Sequence, residues 1–231
     1  LNYKLILFFV LSFLSKSLFS NEILFDIQGN DFTDTDAILS ILNEIPDTSN
    51  KESTNDIIRV LNESELFSDV QVKLLENKYL IIVKEHPNID SLYFKNNERL
   101  KDEDLQLIAS QINFTKSNKS SINLFIKKLK KTYQSFGYNN VQIDFSEKQY
   151  SKTNTVDLYF DIDEGKITKI NKIIINGNNS ILDEDIRAII KSKIKSITNI
   201  FANNNYKPNV VERDKYLITN YFKDYGYIDV K

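Results

Sequence analysis

Around Ile173 the apolar residues alternate (Ile173, Ile175), which is the spacing of a strand, and after Gly177 the spacing becomes that of a helix (Ile186, Ile189, Ile190). The same pattern occurs twice more. Taking Gly29, Asn96 and Gly177 as origins, apolar pairs precede each one: Phe25 and Ile27, Leu92 and Phe94, Ile173 and Ile175. An asparagine follows each origin directly: Asn30, Asn97 and Asn178. A helical face then opens at Ile38, Leu105 and Ile186 and continues at Ile41/Leu42, Ile108/Ala109 and Ile189/Ile190. Leaving a strand sharply calls for a positive φ, which Gly adopts freely and Asn tolerates better than other side chains. Three copies in one register define a tandem array.

The rest of each unit follows from periodicity. In the second, a helix with the stripe Ile122, Phe125, Ile126, Leu129 and Tyr133 is expected to be capped by Ser120 or Ser121 and ended by Gly137. Val141, Ile143 and Phe145 then alternate as a strand. A polar turn is expected over Lys148 to Asn154, and Val156, Leu158, Phe160 and Ile162 form a last strand. The first unit reads alike: a strand at Phe25 to Gln28, helices near Asp34 to Asn43 and Asn55 to Leu66, and strands at Val70 to Leu75 and Tyr79 to Lys84. A third unit carries an insertion with the run Asn203 to Asn205, then a helix near Val210 to Asp224 and Gly226-Tyr227. The sequence stops there, short of the remaining strands, and reads as part of a longer chain. The expected division is 22–86, 87–165 and 166–231, joined by short segments that favour a jointed rod.

Two successive helices return the chain to the end of the sheet it left. First and last strands should therefore be parallel, in a three-stranded mixed sheet with both helices on one face, an α+β architecture. The last strand is expected at the centre, which leaves the strand after the second helix as an open edge. The edge candidates are Val141, Gln142, Ile143, Asp144 and Phe145, then Val70, Gln71 and Val72, and, in the third unit, Ile228 and Val230. Such an edge can take up an extended peptide as an added strand.

The N-terminus is of another class. Lys4 and the apolar run Leu5 to Leu14, followed by a Ser-rich stretch to Ser20, read as a secretory signal peptide over residues 1–20, cut between Ser17 and Ser20. Losing Lys4 and Lys16 takes the net charge from −2 to −4, a balance that speaks against nucleic acid as a partner. Without cysteine there is no disulfide, thiolate metal site or Cys nucleophile.

Ile175-Asn176-Gly177-Asn178 before an amphipathic helix, Tyr221-Phe222 with Gly226-Tyr227, Phe67-Ser68-Asp69-Val70 and Asp163-Glu164-Gly165 together resemble the POTRA (polypeptide-transport-associated) family. The resemblance covers nearly the whole chain after the signal peptide. It implies a periplasmic array of POTRA domains ahead of a C-terminal transmembrane β-barrel absent from this sequence. It further implies unfolded outer-membrane β-barrel proteins and accessory assembly lipoproteins as partners, and location at the periplasmic face of the outer membrane. Two other settings are open: a related translocation or secretion pore, and a division-type periplasmic interaction protein. Repeat number separates them.

No catalytic residue, metal site or cofactor is expected. His86 is the only histidine, so no His pair can form. Asp102/Asp104 and Asp183/Asp185 open helices, where the dipole favours carboxylates. Lys127, Lys128, Lys130 and Lys131 read first as a solvated helix face, with an acidic partner or anionic lipid as the functional alternative.

Overall fold

The computed structural model describes residues 24–42, 51–76, 78–195, 202–228 and 230. The expected signal peptide lies outside them. Two compact units divide between His86 and Pro87.

The first unit runs β1 (Leu24–Gln28), α1 (Thr35–Leu42), α2 (Lys51–Glu63), β2 (Phe67–Leu75) and β3 (Lys78–Glu85). The sheet order is β1-β3-β2, with β1 parallel and β2 antiparallel to the central β3. Ile38 and Leu42 of α1, Ile57 and Leu61 of α2, and Tyr79, Ile81 and Val83 of β3 close the core. Burying one such aliphatic side chain contributes about 1.5–3 kcal/mol. Helix α2 starts and ends earlier than its apolar stripe suggests. Glu65 adopts φ 56° and stops the helix, and the Ser64 hydroxyl accepts the Leu66 N–H at 3.3 Å.

The second unit opens with the same order: β4 (Asn88–Lys95), α3 (Asp102–Gln111), α4 (Lys119–Phe136), β5 (Gln142–Tyr150) and β6 (Thr155–Asp163). Its sheet is β4-β6-β5, with β4 parallel and β5 antiparallel to β6. Val156, Leu158, Phe160 and Ile162 are buried beneath α3 and α4. Phe125 anchors this core, its ring 4.7 Å from Phe114 and edge-on to Phe160 at 5.2 Å.

Two local expectations change. The cap of α4 is Asn118, not Ser120 or Ser121. Its backbone is already extended (φ −121°, ψ 161°), and its side-chain oxygen accepts the Ser121 N–H at 2.7 Å. The helix therefore starts at Lys119, and both serines fall in its first turn. Gly137 ends the helix with φ 102°, as expected. The polar stretch from Lys148 is strand as far as Tyr150, and only 151–154 turn. Polar residues there mark a solvent-facing strand surface, which a loop can mimic in sequence.

Beyond β6 lie α5 (Asp183–Ile189) and α6 (Pro208–Asp224), the latter with proline at its first position, where a missing N–H costs least. Buried Asp214 of α6 accepts the N–H groups of Lys191 (2.6 Å) and Ser192 (2.9 Å), which holds the exit of α5. The expected strand at Ile173 and Ile175 forms no ladder among the described residues. In both complete sheets the first strand pairs with the last, and among the described residues no strand follows α6 to pair with it.

The Asn203–Asn205 run has a defined place. The Ile170 N–H donates to Asn204 O at 2.7 Å and the Tyr206 N–H to Thr168 O at 2.8 Å. The Thr168 N–H donates to Gly137 O at 2.9 Å, and the Asn139 amide donates to Tyr206 O at 2.9 Å. The run thus clasps the start of the third repeat to the end of α4.

Candidate partner-binding edges

The turns that start each repeat share one hydrogen-bonded scaffold. Gly29, Asn96 and Gly177 have φ of 85°, 62° and 84°. The asparagine after each donates its amide to a carbonyl three residues on: Asn30 to Thr33 O, Asn97 to Leu100 O and Asn178 to Ile181 O, at 2.9–3.0 Å. It also reaches the first residue of the following helix: Thr35 at 3.1 Å, Asp102 at 2.8 Å and Asp183 at 2.6 Å. Asp102 and Asp183 are thus parts of a turn. Asp104 caps the Lys101 N–H at 3.2 Å.

A carboxylate at the end of each complete central strand closes the same turn. Glu85 accepts the Phe32 N–H at 3.0 Å and Glu164 the Arg99 N–H at 2.7 Å. These links fix where the first strand leaves the sheet, and hence which edges stay free.

Each sheet has two outer strands. Along β4, the Ile89 N–H donates to Thr115 O (2.8 Å) and the Ser117 N–H to Pro87 O (2.9 Å), so the loop before α4 covers the start of that edge. Among the described residues strand β5 pairs only with β6, in unbroken register over nine residues. Strand β2, among the described residues, pairs only with β3 but is irregular between Phe67 and Asp69, which twists its edge. The longest regular free edge among the described residues is therefore β5.

The edge candidates divide by face. Val141, just before β5, and Ile143 point into the core, while Gln142 and Asp144 are exposed and Phe145 is 44% exposed. Gln71 is exposed, and Val70 and Val72 are half-buried. Ile228 (87% exposed) lies outside any ladder, and Val230 lines an apolar groove with Ile173, Ile175, Phe222 and Tyr227. Lys127, Lys128 and Lys131 lie on the solvent face of α4, with Lys130 half-buried. The His86 N–H donates to Leu66 O at 2.9 Å. Among the described residues no group of His, Cys, Asp and Glu is arranged to hold a metal ion.

The periodic reading passes over one group of residues. On the outer face of the second sheet, Tyr93 and Tyr159 stack at 4.8 Å beside Tyr150 and a buried Asp157. The signal was available: aromatics at the polar positions of paired strands.

The architecture is that of tandem strand–helix–helix–strand–strand modules with a mixed sheet covered on one face. The family model that matches such modules here is POTRA, described as a surface antigen variable number repeat, over residues 87–165 and 168–231. The chain belongs to the POTRA family. Relatives include the outer membrane protein assembly factor BamA of Neisseria meningitidis serogroup B, 25% identical over 210 residues, covering 89% of this chain and 26% of the relative. The BamA of Neorickettsia risticii is 25% identical, covering 95% of this chain and 30% of the relative. The chain thus spans less than a third of the length of these two proteins. Among solved structures, Haemophilus influenzae BamA POTRA3-5 is 15% identical with a TM-score of 0.45, over 85% of this chain and 84% of that one. The N-terminal domain of Omp85 from Thermosynechococcus elongatus is 14% identical with a TM-score of 0.46, over 90% and 87%.

Proposed function

We propose that this chain is the periplasmic receiving array of an outer-membrane protein assembly factor, and that it takes up unfolded β-barrel segments by adding them as strands to β5. Residues 22–86 act as a first POTRA unit ahead of the two at 87–165 and 168–231. The observation that carries this reading is the uncovered, unbulged edge of β5, where backbone groups are free to pair with an incoming strand. The names of the relatives support the setting. Accessory assembly lipoproteins are the second partner class, with β2 as the second edge. The chemistry needed is main-chain pairing, with no cofactor and no catalytic residue.

Proline tests the edge. Ile143 is a poor place for it, because its side chain belongs to the core. Phe145 and Ser146 are exposed neighbours on β5, and along an edge strand successive N–H groups alternate between the ladder and solvent. Proline at whichever of the two points outward leaves the fold intact and removes one bond to an added strand. That variant is expected to lose crosslinking to peptides from an unfolded outer-membrane β-barrel protein, while Thr at the same site keeps it. Equal loss in both, with circular dichroism unchanged, would indicate side-chain recognition and defeat strand addition here.

A further inference from the structure

Strand β6 alternates between the core and the naked face of the sheet, and Asp157 belongs to the naked face. It is nonetheless only 6% exposed. Its Oδ2 accepts the Tyr150 hydroxyl at 2.8 Å, while Oδ1 is buried without a hydrogen-bond partner. An unpaired buried carboxylate oxygen is costly unless something supplies a donor or a charge. Among the described residues no cation lies within ion-pair distance of it. Lys148, its cross-strand partner, instead places its ammonium 5.1 Å from the centre of the Tyr150 ring. Tyr150 bonds the carboxylate, Tyr159 lies two residues on along the same face of β6, and Tyr93 stacks on Tyr159; the three are 36%, 37% and 47% exposed.

The first unit shows what this position does when it is filled internally. By sheet register Asp157 corresponds to Lys78, and Tyr93 to Asp26. There Lys78 and Asp26 form an ion pair at 2.6 Å. That place on the sheet therefore brings a cation and an anion together. In the second unit a carboxylate, Asp157, takes the cation's place and a tyrosine, Tyr93, the anion's, so the charge at this place has no internal counter-ion among the described residues.

We infer that Asp157, with Tyr93, Tyr150 and Tyr159, forms a receiving site for the guanidinium of an arginine side chain carried by an extended protein segment. A guanidinium is planar, stacks on tyrosine rings and can donate to both a carboxylate and a phenol oxygen, and it sheds water more readily than an ammonium. A single free carboxylate oxygen is too few ligands for a metal ion. The β5 edge lies one strand away, and a strand added there would turn alternate side chains onto this face. That route rests on the function proposed above, but the site itself does not.

A short probe separates the two. The tyrosine-ring NMR signals of the full chain are followed on titration with acetyl-Ser-Arg-Ser-amide and with its citrulline counterpart, a neutral isostere too short for stable edge pairing. The arginine probe is expected to shift Tyr93, Tyr150 and Tyr159 saturably, and the citrulline probe is not. Asp157→Asn should weaken binding roughly tenfold or more, as loss of a charge-assisted bond does. Lys148→Ala, which frees the Tyr150 ring, should strengthen it. Equal shifts with citrulline, no saturation, or unchanged affinity in Asp157→Asn overturns the site. Should Asp157→Asn fail to fold, the arginine–citrulline comparison on the unaltered chain decides alone.

Discussion

The three repeat origins share a positive φ but not a surrounding. A Cβ built on Gly29 would lie 2.1 Å from Val83 O, whereas one on Gly177 meets nothing within 4 Å. Gly29→Ala is therefore expected to unfold the first unit, while Gly177→Ala costs only the left-handed penalty of about 1–2 kcal/mol. Thermal melts of the two variants check this, and equal losses would contradict it. At the Asn96 turn the side chain also works, donating to Asp161 at 2.8 Å. The Lys95 ammonium lies 2.7 Å from the same carboxylate. These two neighbours, Lys95 first, hold the Asp161 pKa below its ordinary value, and Lys78 does the same for Asp26. A carboxyl with a lowered folded pKa adds stability above its unfolded pKa and loses it as pH falls through the folded value. Stability should thus fall as pH drops through and below about 4, with a shallower fall in Asp161→Asn. An unchanged acid limb in that variant would refute the assignment.

Caps and edges belong to the scale of the element. Asn118→Ala should cost about 1 kcal/mol, the usual worth of an N-cap, while Ser120→Ala and Ser121→Ala should be close to neutral. Denaturant melts of the three variants distinguish Asn118 from either serine as the cap. Periodicity exposed the repeats because burial follows it: Ile38, Leu105 and Ile186 are all at most 2% exposed. The parallel placement of first and last strands was likewise legible, because two helices return the chain to its starting end. Periodicity could not separate a polar strand face from a loop, which is why Lys148 to Tyr150 read as a turn. Nor could it show that the loop before α4 shields β4, or that Asp157 is buried on the outer face. Those are facts of cross-strand register, and each depends on residues far apart in the chain. Ile143 read as an edge residue, and it is one by backbone, but its side chain is core.

In the unit from Pro87 onward, the second and third repeats are tied together by the asparagine clasp. Gly137 sits inside it, and a Cβ there would lie 3.2 Å from both Asn205 Cβ and Ile167 Cγ2. The Asn204 side-chain amide donates to Ile170 O at 3.1 Å, and removing it together with the Asn139 amide (Asn204→Ala with Asn139→Ala) should broaden the spin-label distance distribution between α4 and α6 without unfolding either. A distribution as narrow as that of the unaltered chain would show that the clasp does not set the joint. The function proposed for the array rests on the β5 edge, and hydrogen exchange reads that edge directly. With a saturating extended peptide from an unfolded β-barrel protein, the outward N–H groups of Gln142–Tyr150, every second residue, should gain protection, while those of α3 and α4 stay unchanged. Protection gained on the helices, with β5 unaltered, would contradict strand addition as the way this protein receives its partners.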